Sequence, residues 1–189
     1  MQILTQLGYH VIKLPADIDE AVKADKTPAC YVQRMAAEKN QTALALFLET
    51  NGAMPDFPLI TADTCVVSDG IILGKPRSQA EAVKFLKLLS GTRHTVLTSV
   101  HIHYRGNAKN CLQTNHVAFK PLSSEEISAY VQSGEPMDKA GAYAVQGIGG
   151  IFIQSIEGSF SGIMGLPVYE TVSMLQDLGY HSPLSALKP

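Results

Sequence analysis

The chain has 189 residues, 46% of them hydrophobic and 17% charged, a balance that builds one packed domain, or one with two lobes, and excludes a disordered chain. Its net charge of −2 argues against nucleic acid or an anionic membrane surface as the main partner, yet leaves room for a small phosphate site that needs only a few cations. No apolar run approaches the roughly 18 residues that span a bilayer, residues 1–8 lack the basic and apolar stretches of a signal peptide, and Cys30, Cys65 and Cys111 read as reduced thiols of a cytoplasmic chain.

In chain order, Met1 to Leu7 reads as the last turns of a helix stopped by Gly8, and Val11-Ile12-Lys13-Leu14 as a short strand. Thr27-Pro28 is an N-cap followed by a proline at the first helical position, opening a helix to about Leu48 with Gly52 beyond it. A buried strand starts at Pro58-Leu59-Ile60 and runs through Asp63 to Val67, and Asp69-Gly70 turns it into Ile71-Ile72-Leu73. Ser78 and Glu81 make a capping box for a helix through Leu89. Thr95 to Tyr104 and Cys111 to Phe119 are strands around Arg105-Gly106-Asn107, and Ser123 with Glu126 caps a helix ending at Ser133-Gly134. Tyr143 to Val145 and Ile151 to Ile156 are strand-like, and Pro167 to Leu178 is a last helix closed by Gly179. Hairpins forbid a purely parallel sheet, so the expected fold is α/β, a mixed twisted sheet with flanking helices.

The first hairpin gathers chemistry at its open end. With Asp69-Gly70 as turn residues, Asp63 lies opposite Pro76 and Thr64 opposite Lys75, so a carboxylate and an ammonium meet there. An aspartate in an apolar strand needs a partner, a metal or a task. A salt bridge tying down the hairpin and a functional carboxylate both remain open. Asp17-Ile18-Asp19-Glu20 adds acids after a short strand, and Lys39 lies on the following helix; taken singly, each reads as solvated surface. Gly147-Ile148-Gly149-Gly150 offers backbone N–H groups to a phosphate or simply a tight turn. His101 and His103 share a strand face, but no third ligand follows at a useful spacing.

In order along the chain stand Thr61-Ala62-Asp63-Thr64, Leu73-Gly74-Lys75-Pro76, Leu88-Leu89-Ser90-Gly91, Ser133-Gly134-Glu135-Pro136 through Asp138-Lys139-Ala140-Gly141-Ala142-Tyr143, Val145-Gln146-Gly147 and Met164-Gly165-Leu166-Pro167. This series resembles the Maf family of nucleoside triphosphate pyrophosphatases over nearly the whole chain. The resemblance implies two lobes around a cleft, as in inosine triphosphatases, in a protein that is often a homodimer. It also implies Asp63 as catalytic carboxylate, Glu20 and Asp63 holding a divalent metal (Mg²⁺ or Mn²⁺), and Lys39 and Lys75 facing the triphosphate. Thr64 and Gln146 match positions that sort substrates and point to the branch acting on dTTP and UTP, rather than on 7-methyl-GTP; a non-catalytic nucleotide binder acting in division control is the alternative from a different class. Family members begin with a strand and a Ser-x-Ser-Pro-Arg-Arg segment that grips phosphate. Met1 falls just after that segment, so the expectation is a single domain over residues 1–189 that is incomplete at its N-terminus and weakened as an enzyme.

Overall fold

The structure is a computed structural model that describes residues 2–21 and 27–186. Met1, where the first helix was expected to begin, lies outside the described residues; the helix itself, α1 (Gln2–Gln6), is followed by Gly8 in the left-handed region. The long helix α2 (Pro28–Asn51) begins as its caps dictate. The Thr27 hydroxyl accepts the Cys30 N–H, Pro28 occupies a position that needs no donor, and Gly52, at φ +70°, closes the far end by donating to the Leu48 carbonyl. Val32, Met35, Ala36, Asn40 and Ala43 form its buried stripe, spaced at three, four or one helical steps as one face requires.

Helices α3 (Gln79–Leu89), α4 (Ser124–Gln132), α5 (Phe160–Ile163) and α6 (Val168–Asp177) flank the sheet. The capping box at α4 is reciprocal, with the Ser123 hydroxyl accepting from Glu126 N–H and the Glu126 carboxylate from Ser123 N–H. At α3 only half of it forms: Ser78 accepts from Glu81 N–H, but the Glu81 carboxylate accepts from Arg77 N–H instead.

Strands β1 (Leu59–Ser68), β2 (Ile71–Leu73), β3 (Arg93–Tyr104), β4 (Asn107–Phe119) and β5 (Ile153–Glu157) make one sheet in the order β2-β1-β3-β4-β5. Every pairing is antiparallel among the described residues, so the mixture is of helices with strands and not of strand directions. Both tight hairpins turn through two left-handed residues, Asp69-Gly70 and Arg105-Gly106, the backbone that matches strand twist. The register at the first turn is the predicted one, Val66 facing Leu73, Val67 facing Ile72 and Ser68 facing Ile71. The ladder ends there, however. Gly74-Lys75-Pro76 leave the sheet, and the Gly74 carbonyl accepts from Gly141 N–H. Pro76 has no donor with which to continue, so the expected face-to-face positions of Asp63 with Pro76 and Thr64 with Lys75 do not form.

Two other expectations are corrected. Val11 to Leu14 is irregular chain, with Val11 packed against the cluster that holds Leu4, Ile102 and Leu175; its apolar pattern serves packing rather than pairing. Tyr143 to Val145 is buried but not a strand. Gly141 and Ala142, at φ +68° and +61°, turn the chain away from any ladder just before it. The last strand starts at Ile153, because Ile148–Phe152 forms a 3₁₀ turn.

The core has distinct parts. Val66, Val96 and Val117 pack with α3 and α4 at one end of the sheet; Val100 and Ile102 pack with α1 and α6 at the other; and Val32 of α2 meets Cys65 and Leu97 across the sheet. Among the described residues no helix is long and apolar enough to cross a membrane.

Within the first part, His94 is 2% exposed, in hydrogen-bond contact with the Tyr143 hydroxyl at 2.8 Å and edge-on to Phe119. Burial pushes its pKa down to about 4 from 6.5. The unfolded chain therefore binds a proton that the folded chain refuses. Stability from this site is complete above about pH 6.5 and declines as the pH falls toward about 4, by up to ~3 kcal/mol. Denaturant titrations of the parent and of His94→Phe between pH 7 and pH 4 are expected to show a shallower acid decline in the variant; parallel declines would remove His94 as the cause.

Candidate active site

Alternation along β1 sends Thr61, Asp63 and Cys65 to the face covered by α2, and Ala62 and Thr64 to the other. Three side-chain hydrogen bonds fix α2 over that face. Asn40, 2% exposed, donates to the carbonyls of Leu59 and His101, and the Thr61 hydroxyl donates to the Ala36 carbonyl. This docking brings Lys39 to Asp63. The Lys39 ammonium lies 2.6 Å from Asp63 Oδ1 and 2.7 Å from Glu20 Oε1, so one cation bridges two carboxylates, the three groups coming from three separate parts of the chain.

Glu20 sits on irregular chain and is held from α2. The Tyr31 hydroxyl donates to the Glu20 carbonyl, Arg34 donates to the Ala21 carbonyl at 2.6 Å, and the Asp19 carboxylate accepts from Ala21 N–H. The Arg34 guanidinium is itself anchored by Glu38 and lies over the Tyr31 ring. Tyr31, Arg34, Glu38 and Lys39 thus form a single face of α2 whose task is to hold the acidic segment near Asp63.

Charge within the cluster is uneven. The Asp63 side chain is 14% exposed. Burial pushes its carboxyl upward, the Lys39 hydrogen bond and charge pull it back, and nearby Glu20 pushes it up again, leaving it above the ordinary aspartate value. Glu20, more exposed, is held below its ordinary value by the Lys39 hydrogen bond. For Lys39, burial opposes the charge but is outweighed by its two carboxylate partners, so its proton is held more tightly than usual. Lys75 is exposed and reaches the cluster through its field alone, pulling both Asp63 and Glu20 down. A raised carboxylate beside a fixed cation is suited to taking a proton from water next to a polyanion.

The sequence model of the Maf-like protein family matches residues 1–178. The chain belongs to the Maf-like family. It is 84% identical over 189 residues to a protein of Neisseria meningitidis serogroup B named dTTP/UTP pyrophosphatase, covering all of this chain and 94% of that protein. A protein of the same name from Neisseria gonorrhoeae is 83% identical over 189 residues, with the same coverage. A Haemophilus ducreyi protein named nucleoside triphosphate pyrophosphatase is 47% identical over 174 residues, covering 92% of this chain and 87% of that protein.

Of the residues predicted for the site, Asp63, Lys39 and Glu20 are in direct contact and Lys75 is near them, whereas Thr64 and Gln146 stand apart. Thr64 is on the opposite face of β1, its hydroxyl 2.9 Å from that of Thr98. Gln146 is exposed in the turn before Gly147. The backbone N–H groups after Gly147, candidates for a phosphate by sequence, are already occupied. Those of Ile148 and Gly149 each donate to the Glu135 carboxylate at 2.9 Å, and the Tyr130 hydroxyl donates to it at 2.8 Å. A Cβ on residue 147 would come within 2.3 Å of that carboxylate and displace it from these bonds. An internal anion therefore fills this nest and fixes the turn that carries Gln146.

Proposed function

We propose that the chain hydrolyses nucleoside triphosphates, dTTP and UTP foremost, to the monophosphate and pyrophosphate. The observation that carries this reading is the Glu20–Lys39–Asp63 cluster in a chain of this family, supported by the names of its relatives. Water attacks the α-phosphorus. The new O–P bond forms as the bond to the β-phosphate bridging oxygen breaks, Asp63 takes the proton of the attacking water, and pyrophosphate leaves with the electron pair. Lys39 and Lys75 supply positive charge where the leaving group gains negative charge.

The donor set suits Mg²⁺ or Mn²⁺. The Glu20 and Asp63 oxygens converge within 2.7 and 2.6 Å of one nitrogen, so a compact cation can touch both. Among the described residues no group of three His, Cys, Asp or Glu side chains assembles. A hard divalent ion would then take its other ligands from water and phosphate, as Mg²⁺ does at nucleotide sites. Once bound, it would neutralise phosphate charge as a Lewis acid.

The test is pyrophosphate release across dTTP, UTP, CTP, ATP, GTP and 7-methyl-GTP, with Mg²⁺ and with Mn²⁺. The expected result is the highest kcat/KM for dTTP and UTP, at least tenfold above the purines. Highest turnover of 7-methyl-GTP would reassign the substrate, equal rates for all bases would remove any base reading by Thr64 and Gln146, and binding without turnover would favour a regulatory protein.

A further inference from the structure

Behind Thr64, on the face of β1 away from Asp63, lies a chain of hydroxyls whose hydrogen positions can be counted. Thr98 is fully buried, and its Oγ1 lies 2.7 Å from the Gly162 carbonyl oxygen. A carbonyl only accepts, so the Thr98 hydrogen is committed to it. The carbonyl itself is fixed. Gly162 N–H donates to Ser159 Oγ, and Asn115, with no exposed surface, accepts from Ser159 N–H. Gln113 Oε1 packs closely on residue 162, 2.0 Å from where a Cβ would stand. With the Thr98 hydrogen spoken for, the 2.9 Å contact between the threonine hydroxyls has one solution: Thr64 donates and Thr98 accepts.

Thr64 Oγ1 is therefore left with lone pairs and no hydrogen to offer. Space remains beside it. Gly165 holds a left-handed backbone, φ +101°, and a Cβ built there would meet only the Thr64 oxygen, at 3.4 Å. With glycine at residue 165, that Cβ position next to the hydroxyl is left open.

We propose that Thr98 is a specificity-determining residue that fixes the polarity of Thr64, so that Thr64 meets the base of the substrate as a hydrogen-bond acceptor alone and selects a base carrying an imide N–H. The inference rests on the assignment of Thr64 to the base end of the substrate. Uracil and thymine present N3–H and are matched. Cytosine, of the same size, presents a bare N3 acceptor, which leaves two acceptors facing each other. Thr98 touches no substrate; it acts through Thr64.

UTP and CTP separate this from every size effect. In Thr98→Val, which keeps the shape and removes the relay, the Thr64 hydroxyl is free to turn its hydrogen outward. The UTP-to-CTP ratio of kcat/KM is expected to fall about tenfold or more, as befits one hydrogen bond changed from matched to mismatched. Thr98→Ser keeps the relay and is expected to keep the parent ratio. If thermal melting shows Thr98→Val unfolded, Thr98→Ala, which also removes the hydroxyl, takes its place and is expected to shift the ratio the same way. Rates for both nucleotides that drop in parallel would reveal a merely structural role and overturn the proposal. A ratio moved by Thr64→Val but not by the Thr98 variants would overturn the relay while leaving Thr64 at the base. A ratio unmoved by Thr64→Val would overturn the assignment of Thr64, and the relay with it.

Discussion

Replacing Asp63 with asparagine is expected to lower kcat about 10²-fold or more while nucleotide affinity changes only a few-fold. Asparagine keeps the shape and the oxygen that accepts from Lys39, but it cannot take a proton from water. The loss should therefore appear in the chemical step and leave ground-state binding nearly intact. The parent carries an independent signature of the same group. Because burial and Glu20 hold Asp63 above the ordinary aspartate value despite Lys39, its base form is lost earlier on acidification than that of an exposed aspartate. The acid limb of kcat/KM should thus lie above the ordinary aspartate range, with activity falling as the pH drops through it. Residual activity in Asp63→Asn should lack that limb. A variant retaining most of the parent rate would make Asp63 a structural anchor for α2 and assign the base elsewhere.

What could be read from the sequence follows the range of the interactions involved. The caps of α2 at Thr27-Pro28 and Gly52, the Asp69-Gly70 turn and the register it sets depend on neighbours within a few residues, and all appear as expected. The partner of Asp63 depends on something else. Hairpin geometry offered Lys75, yet the ladder stops at Leu73 and the ammonium arrives from α2, 24 residues away, because Asn40 and Thr61 lock that helix across β1 and β3. Lys39 read singly as solvated surface, and the targets of its helix neighbours Tyr31 and Arg34 are backbone carbonyls of an irregular segment that has no periodic signature. Likewise the Gly147 turn announced close backbone approach without saying to what; the answer, the Glu135 carboxylate, is an anion inside the protein. Local rules thus placed these caps and turns, and buried polar side chains, which carry no pattern in sequence, decided how the elements meet.

Lys39→Met is expected to lower kcat/KM by about 10²-fold, and at the same time to tighten the binding of Mn²⁺ in the absence of nucleotide. Both effects come from one geometry. The ammonium bridges Asp63 and Glu20 at 2.6 and 2.7 Å and lies half-buried, 21% exposed. In the presence of a triphosphate it is a fixed positive charge next to developing negative charge, and methionine, of similar length, cannot replace that. Without nucleotide it neutralises the two carboxylates that would otherwise hold a cation. Removing it leaves like charges close together, which raises their demand for a divalent ion as well as their proton affinity. Calorimetric titration of Mn²⁺ into parent and variant at neutral pH reads this separately from turnover, with at least a fivefold lower Kd expected in Lys39→Met. A slower variant with unchanged Mn²⁺ affinity would keep Lys39 as a phosphate-binding charge but move the metal away from Glu20 and Asp63. An unchanged rate would remove Lys39 from the reaction and leave it as the ion-pair partner that ties α2 to β1.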